Sequence, residues 1–332
     1  MPDFYLKYTG EEIEARLDKV PELETGKASL WDSEKQYAKG DFCIHKGYLW
    51  VCTAEAGNTG TEPSTNYNVW NVTYSNPNLL DNPWFTINQR SATEYSGSKY
   101  TVDRWMIYDN TTLVKDDNGI TITAGSSVMC LYQYSNPDLT KQLAGKVCTI
   151  SVMLQTGEVR SAVITLPEDY NIAWDTPEIR IGNFVFDVIK SELSDIVTFR
   201  MINFNPGETI SIRAVKLELG PVSTLANDSA PDYATELLKC QRYFQKDSVH
   251  TTYYTSSASA LAVNVFLKTN MRVVPSIVIT ECTYWNGSAW TPVGYNVVDQ
   301  LGSTGYFSCW INNVPQNGQY NIIIRYEASA DL

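Results

Sequence analysis

From Gly119 to the C-terminus the chain repeatedly alternates apolar and polar residues with a period of two. Ile150, Val152 and Leu154 fall on one side of such a segment, and Tyr320, Ile322, Ile324 and Tyr326 on one side of another. That period matches the pleat of a β-strand and not the turn of a helix. Further segments of this kind run through Gly119–Thr123, Val147–Leu154, Val159–Leu166, Phe184–Ile189, Ile196–Ile202 and Ile210–Leu219. They recur every 8–15 residues or so with turn residues between them, a spacing that predicts two-sheet sandwiches. The expectation is a mainly β protein.

Composition narrows the ligand classes. The chain has 332 residues with 21 Tyr and 9 Trp, only 19% charged residues, and a formal net charge of −12. Nucleic-acid binding requires Lys and Arg to displace counterions from phosphates, so this charge argues against it and against an anionic membrane surface. Neutral sugars, whose apolar C–H faces pack on aromatic rings, remain the most compatible large ligand. Met1–Lys19 carries charges throughout, with no apolar stretch of signal-peptide length, and no run approaches a membrane span. We therefore expect assembly in the cytoplasm, without membrane insertion. The seven cysteines are scattered, no CxxC pair occurs, and His45 and His250 are the two histidines. Buried free thiols are expected, with no metal site and no cofactor.

Catalytic signatures are equally sparse. No GxSxG elbow, P-loop or HExxH motif occurs, and no carboxylate spacing marks an acid–nucleophile pair. Asp116-Asp117 reads as a solvated turn. The expectation is a protein that is not an enzyme.

Four pieces follow one another. Residues 1–29 open with Thr9-Gly10-Glu11-Glu12, an S/T-x-x-E capping box flanked by Tyr8 and Ile13. Ile13, Leu17 and Val20 line one face before Pro21 stops the helix. So short a helix must pack on something, either its own chain or a three-chain bundle. Residues 30–74 hold two short strands, Phe42–Ile44 and Tyr48–Cys52, around a His45–Gly47 turn. Trp31, Tyr37 and Trp50 could form a sugar-stacking platform there, or the core of a module too small to close without large rings. Residues 75–226 read as a jelly-roll-like β-sandwich. It opens with NPNLLDNPWFTINQRSATEYSGSKYTVDRW, Asn76–Trp105, where Asn-Pro, Asp-Asn-Pro and Ser-Gly pairs mark turns. Trp105 reads as core, whereas Tyr95, Tyr100, Tyr132 and Tyr134 lie in polar loops and are expected to be exposed. Residues 227–332 begin with a helix whose Tyr233, Leu237, Cys240 and Phe244 share a face, followed by a small C-terminal β-sandwich. Trp285-Asn286-Gly287 and Trp290 form an aromatic hairpin tip, for recognition or for core packing.

Four stretches carry a resemblance. Tyr37, Gly40-Asp41, Gly47-Tyr48, Pro63 and Trp70 resemble the family 5/12-type carbohydrate-binding modules. The paired aromatics usual after the second strand are replaced here by Val51-Cys52-Thr53-Ala54. Asn76–Trp105, closing at Ile212–Leu225, is similar to jelly-roll carbohydrate-binding-like domains of bacteriophage and prophage tail fibres. YTGEEIEARLDKV and ELLKCQRYFQK resemble segments of the same proteins. The resemblance implies a homotrimeric tail fibre or receptor-binding protein of the virion. It would join other tail or baseplate proteins through its N-terminus and attach to host cell-surface glycan. A structural baseplate or fibre component without its own ligand, and a bacterial carbohydrate-binding accessory protein, are the alternatives. The candidate carbohydrate-binding residues are Trp31, Tyr37, Trp50, Tyr95, Tyr100, Tyr132, Trp285 and Trp290.

Overall fold

In the computed structural model, strands account for 49% of the chain and helix for 6%. The structure describes residues 29–331, excepting 46–47, 64, 74, 127, 136, 170, 192–195, 256–259, 299–302 and 313–317. The expected N-terminal helix lies outside the described residues. Every named strand pair is antiparallel, so neighbouring strands can be joined by hairpins and short loops.

The first sheet has three strands in order β1 (Phe42–His45), β2 (Tyr48–Cys52) and β3 (Trp70–Val72). Its hairpin pairs Cys43 with Trp50 and Ile44 with Leu49, as the alternation predicts. Tyr37, Cys43, Trp50, Cys52, Tyr67 and Trp70 make its apolar cluster. Met153, Val159, Ala214, Val222 and Leu225 from the next unit complete that cluster. The small sheet thus closes its core partly on borrowed surface, as a unit of this size must.

The central unit packs two sheets face to face. One runs β11 (Val159–Thr165), β10 (Val147–Leu154), β16 (Thr209–Leu219), β8 (Gly119–Thr123), β7 (Thr112–Asp116), β4 (Glu94–Ser96). The other runs β12 (Trp174–Asp175), β14 (Phe184–Lys190), β15 (Val197–Asn203), β9 (Met129–Tyr134), β6 (Met106–Ile107), β5 (Lys99–Tyr100), with β13 (Ile179–Ile181) also on β14. A short helix, α1 (Pro137–Leu143), follows β9. Inward positions of both sheets, among them Trp105, Ile120, Ile150, Val152, Phe186, Phe199 and Leu217, form one continuous core. Trp105 sits in it as expected, edge-on to Phe199 at 5.8 Å between ring centres.

The third unit is a smaller sandwich. One sheet runs β17 (Phe244–Thr255), β23 (Gly318–Ser329), β19 (Ser276–Trp285), β20 (Trp290–Pro292), and the other β18 (Ala260–Phe266), β22 (Tyr306–Asn312), β21 (Tyr295–Val298). Val263, Val265, Phe307, Ile311, Ile322, Ile324 and Tyr326 fill the space between. All seven cysteines are buried free thiols, as expected. The preceding helix differs from its sequence reading. Helix α2 (Tyr233–Gln241) is capped by Asp232, whose side chain accepts the Thr235 amide hydrogen. Tyr233 is exposed, while Glu236, Cys240 and Gln241 are buried. Phe244 belongs to β17, so the apparent helical stripe crossed an element boundary.

The Asn76–Trp105 motif has a physical explanation as the joint between the second and third units. Asn82 is fully buried. Its side chain donates to the carbonyls of Ile87 and Asp103 and accepts from the Ile87 amide, each at 2.9 Å. Its own amide donates to Glu236 on α2 at 2.5 Å, and the Trp105 indole donates to its carbonyl. Gln89 donates both to Asp103 and to the Phe244 carbonyl. Arg90 contacts Asp103 at 3.4 Å and Asp331 at 2.6 Å and lies 3.8 Å above the Phe244 ring. Arg104 pairs with Asp81, donates to the Tyr134 carbonyl and stacks 3.4 Å over Tyr243. Asn82, Phe85, Ser91 and Arg104 all hold positive φ. Such strain is tolerated where surrounding bonds over-determine the backbone.

Burial raises the carboxyls of Asp103 and Asp331 above the ordinary value of 3.8, with Gln89 opposing at Asp103 and Arg90 opposing at both. An acid whose folded pKa exceeds its unfolded one contributes stability below about 3.8 that is lost as pH rises through the raised value. Melting temperature against pH is therefore expected to fall less steeply above pH 3.8 in Asp103→Asn/Asp331→Asn than in the wild type. An unchanged slope would assign the pH response to other groups.

Candidate functional site: the exposed aromatic surfaces of the C-terminal unit

Eight rings were candidates for sugar contact, and the structure divides them. Tyr37 and Trp50 are fully buried. Tyr37 packs edge-on to Trp70 at 4.9 Å and accepts the Asp32 amide, while the Trp50 indole donates to the His45 carbonyl. A ring without an exposed face cannot stack on a sugar, so the platform reading of the small sheet fails for both. Trp31 is half-buried and meets His45 edge-on at 5.3 Å.

Tyr95 and Tyr132 are corrected in the same way. Expected in wet loops, both lie on strands and are buried. The Tyr95 hydroxyl donates to Asn88, and Tyr132 contacts the Met106 sulfur and the Tyr134 ring. Burial, the largest cause, raises the pKa of both phenols. Their polar flanks misled the reading because a strand with one buried face alternates a ring with polar neighbours just as a loop does. Tyr100 is half-buried beneath the Arg90 guanidinium, 5.5 Å from its ring centre, and Tyr134 is half-buried too.

Trp285 and Trp290 are exposed, 37% and 43% respectively. They face each other directly across the β19–β20 hairpin, ring centres 5.6 Å apart and planes at 59°. The tip is held by Asn286, whose side-chain oxygen accepts from the amides of Ser288 and Ala289 at 2.9 Å, and by Gly287 at φ +100°. Its side-chain amide donates to Thr291. A side chain folded over its own turn holds the backbone that carries both indoles. The hairpin therefore presents two tilted rings side by side.

A second aromatic surface escaped the sequence reading. Leu261, Val263, Val265, Phe307, Cys309 and Ile311 point into the core, so their alternates point outward. The register sets Phe266 opposite Tyr306, Asn264 opposite Ser308, and Trp310 between Ala262 and Asn296. Phe266 is 74% exposed and Trp310 45%. None of the residues of β18, β21 or β22 is charged. That absence was the available signal, since a solvated strand face ordinarily carries charge. The outer face of the partner sheet does so, with Lys246–Glu327 and Arg325–Glu281 pairs.

The groove beside the half-buried Trp84 has its main polar groups already engaged. Its volume is about 360 Å³, and it is lined by Asn78, Asp228, Glu236 and Lys239. Asn78 bonds strand β16, Asp228 holds the buried Lys216 amine, and Glu236 holds Asn82 and Lys239. Among the described residues, no group of three or more His, Cys, Asp or Glu could hold a metal ion, and no helix is long and apolar enough to cross a membrane. Compared with family models, curated proteins and solved structures, the chain matches none.

Proposed function

We propose that this protein is a homotrimeric tail fibre or receptor-binding protein of a bacteriophage or prophage, attaching the particle to host cell-surface carbohydrate without catalysis. The observation that carries the reading is the Trp285–Trp290 pair, exposed on a side-chain-capped hairpin in a chain of net charge −12. Indole faces bind the apolar faces of pyranose rings, and the negative charge disfavours phosphate-rich partners. Single stacking sites are weak, and three copies on one fibre raise the effective concentration of the second and third contacts. The N-terminal segment joins other tail or baseplate proteins in this reading. The small sheet, its Tyr37 and Trp50 committed to the core, acts as a spacer, which is also what a purely structural fibre component would look like.

Light scattering of the full chain at micromolar concentration is expected to give three times the chain mass, and a monomer mass would contradict the assembly. Binding of the purified protein to whole cells, before and after periodate oxidation of their surface sugars, tests the attachment itself.

A further inference from the structure

We propose that the outward face of β18, β22 and β21 is a second binding surface of the C-terminal unit, taking an extended, uncharged glycan chain. The inference rests on the attachment reading above, but on different residues. Trp310 stands at one end of the face and the Phe266–Tyr306 pair at the other, their ring centres 6.1 Å apart. Tyr306 and Trp310 are four steps apart along β22, a distance of about 13 Å at the usual rise of a strand. Between the two aromatic stations lie Asn264 and Ser308, and Asn296 stands beside Trp310 on β21.

The polar groups of this middle strip are largely unused. The Ser308 hydroxyl bonds the Asn264 side-chain oxygen at 2.7 Å, which leaves the Asn264 amide hydrogens pointing outward. Among the described residues, the Asn296 side chain, the Tyr306 hydroxyl and the Trp310 indole nitrogen have no hydrogen-bond partner either. A sugar chain offers the complement: apolar ring faces for the two aromatic stations and hydroxyls for the amides between them. No ionised group on the three strands is available to pair with a phosphate or carboxylate, so the matching glycan is neutral.

Area separates this ligand from a second copy of the chain. β18 and β22, seven residues each, and the four-residue β21, spaced about 4.8 Å apart, present a flat footprint on the order of 300 Å². A stable protein interface buries about 800 Å² on each partner. The face is too small for that and large enough for several sugar units.

The test probes an array of neutral and acidic bacterial-surface oligosaccharides with full-length wild type, Phe266→Ala/Trp310→Ala, Asn296→Asp and Trp285→Ala/Trp290→Ala. All three side chains changed in the first two variants are exposed, and each variant's melting temperature is checked first. The expected result is wild-type binding to neutral glycans, lowered about tenfold or more in Phe266→Ala/Trp310→Ala, with mass by light scattering unchanged. Asn296→Asp keeps every ring and is expected to weaken binding as well, by setting an unpaired carboxylate in the strip. Wild-type affinity in both face variants overturns the proposal while leaving the hairpin tip as the binding site. A fall in oligomeric mass overturns it in favour of contact between copies, and selection of acidic glycans by the wild type overturns its neutral ligand. Absence of any glycan binding by the wild type removes the attachment reading together with this one.

Discussion

Replacing Asn82 with alanine is expected to destabilise the protein by about 3–5 kcal/mol, the largest effect of any single polar substitution considered for this chain. Two buried backbone groups, the Ile87 amide and the Asp103 carbonyl, lose their partner together, and the Ile87 carbonyl keeps only the Asp103 amide. Each orphaned group contributes on the order of 1–3 kcal/mol of desolvation penalty. Alanine also tolerates the φ of +49° less well than asparagine. The main chain of Asn82 meets Glu236 and Trp105, so a backbone released from its side-chain bonds should loosen the joint between the central and C-terminal units. Thermal and denaturant unfolding measure the loss. Asn82→Asp provides the comparison: it keeps the acceptor for Ile87 but sets a carboxylate facing two carbonyls, and it should be no better tolerated than alanine. Wild-type stability in both variants would show that the motif is not the joint described here.

The double change Trp285→Ala/Trp290→Ala is expected to act the other way, on binding and not on stability. Both rings are exposed on a hairpin whose turn is held by Asn286. Their removal forfeits one cross-strand pair, roughly 0.2–1 kcal/mol, so the melting temperature should move by only a few degrees. Stacking contributes about 0.5–1.5 kcal/mol per ring, a factor of about ten for the two together. If three copies engage a cell surface at once, the losses compound toward about a thousandfold in avidity. Cell-binding titration and a melting curve of the same preparation read the two effects. A collapsed melting temperature would place the rings in the core, and intact binding would remove the tip from recognition.

Strand alternation was the most legible part of the fold. The hairpin at Phe42–Cys52, the central strands and the Trp285–Trp290 tip all follow from period and turn chemistry. The polar stretch of β17, Gln245–Thr252, was not legible, because its residues alternate weakly and its start continues a helical apolar spacing from α2. Sites were harder than strands. Tyr95 sits between Glu94 and Ser96 whether its strand faces water or a second sheet, and for Tyr37, Trp50 and Tyr132 too only the packing around each ring decides its exposure. Phe266, Tyr306 and Trp310 show the converse, since their exposure depends on which alternate set the core accepts. The Asn82–Trp105 motif was visible as a pattern, but its reason lies in Glu236, Phe244 and Asp331, which are 154, 155 and 241 residues from their partners Asn82, Gln89 and Arg90 and beyond any local reading.

Recognition of cell-surface sugar by the C-terminal aromatics is the central claim, and binding of the purified full chain to whole bacterial cells tests it most directly. Cells of candidate hosts are titrated before and after mild periodate oxidation, with wild type and Trp285→Ala/Trp290→Ala side by side. Wild type should bind at least one host, lose that binding when the sugars are oxidised, and exceed the variant by about tenfold or more. Binding that survives periodate, or that the variant shares in full, would contradict the account.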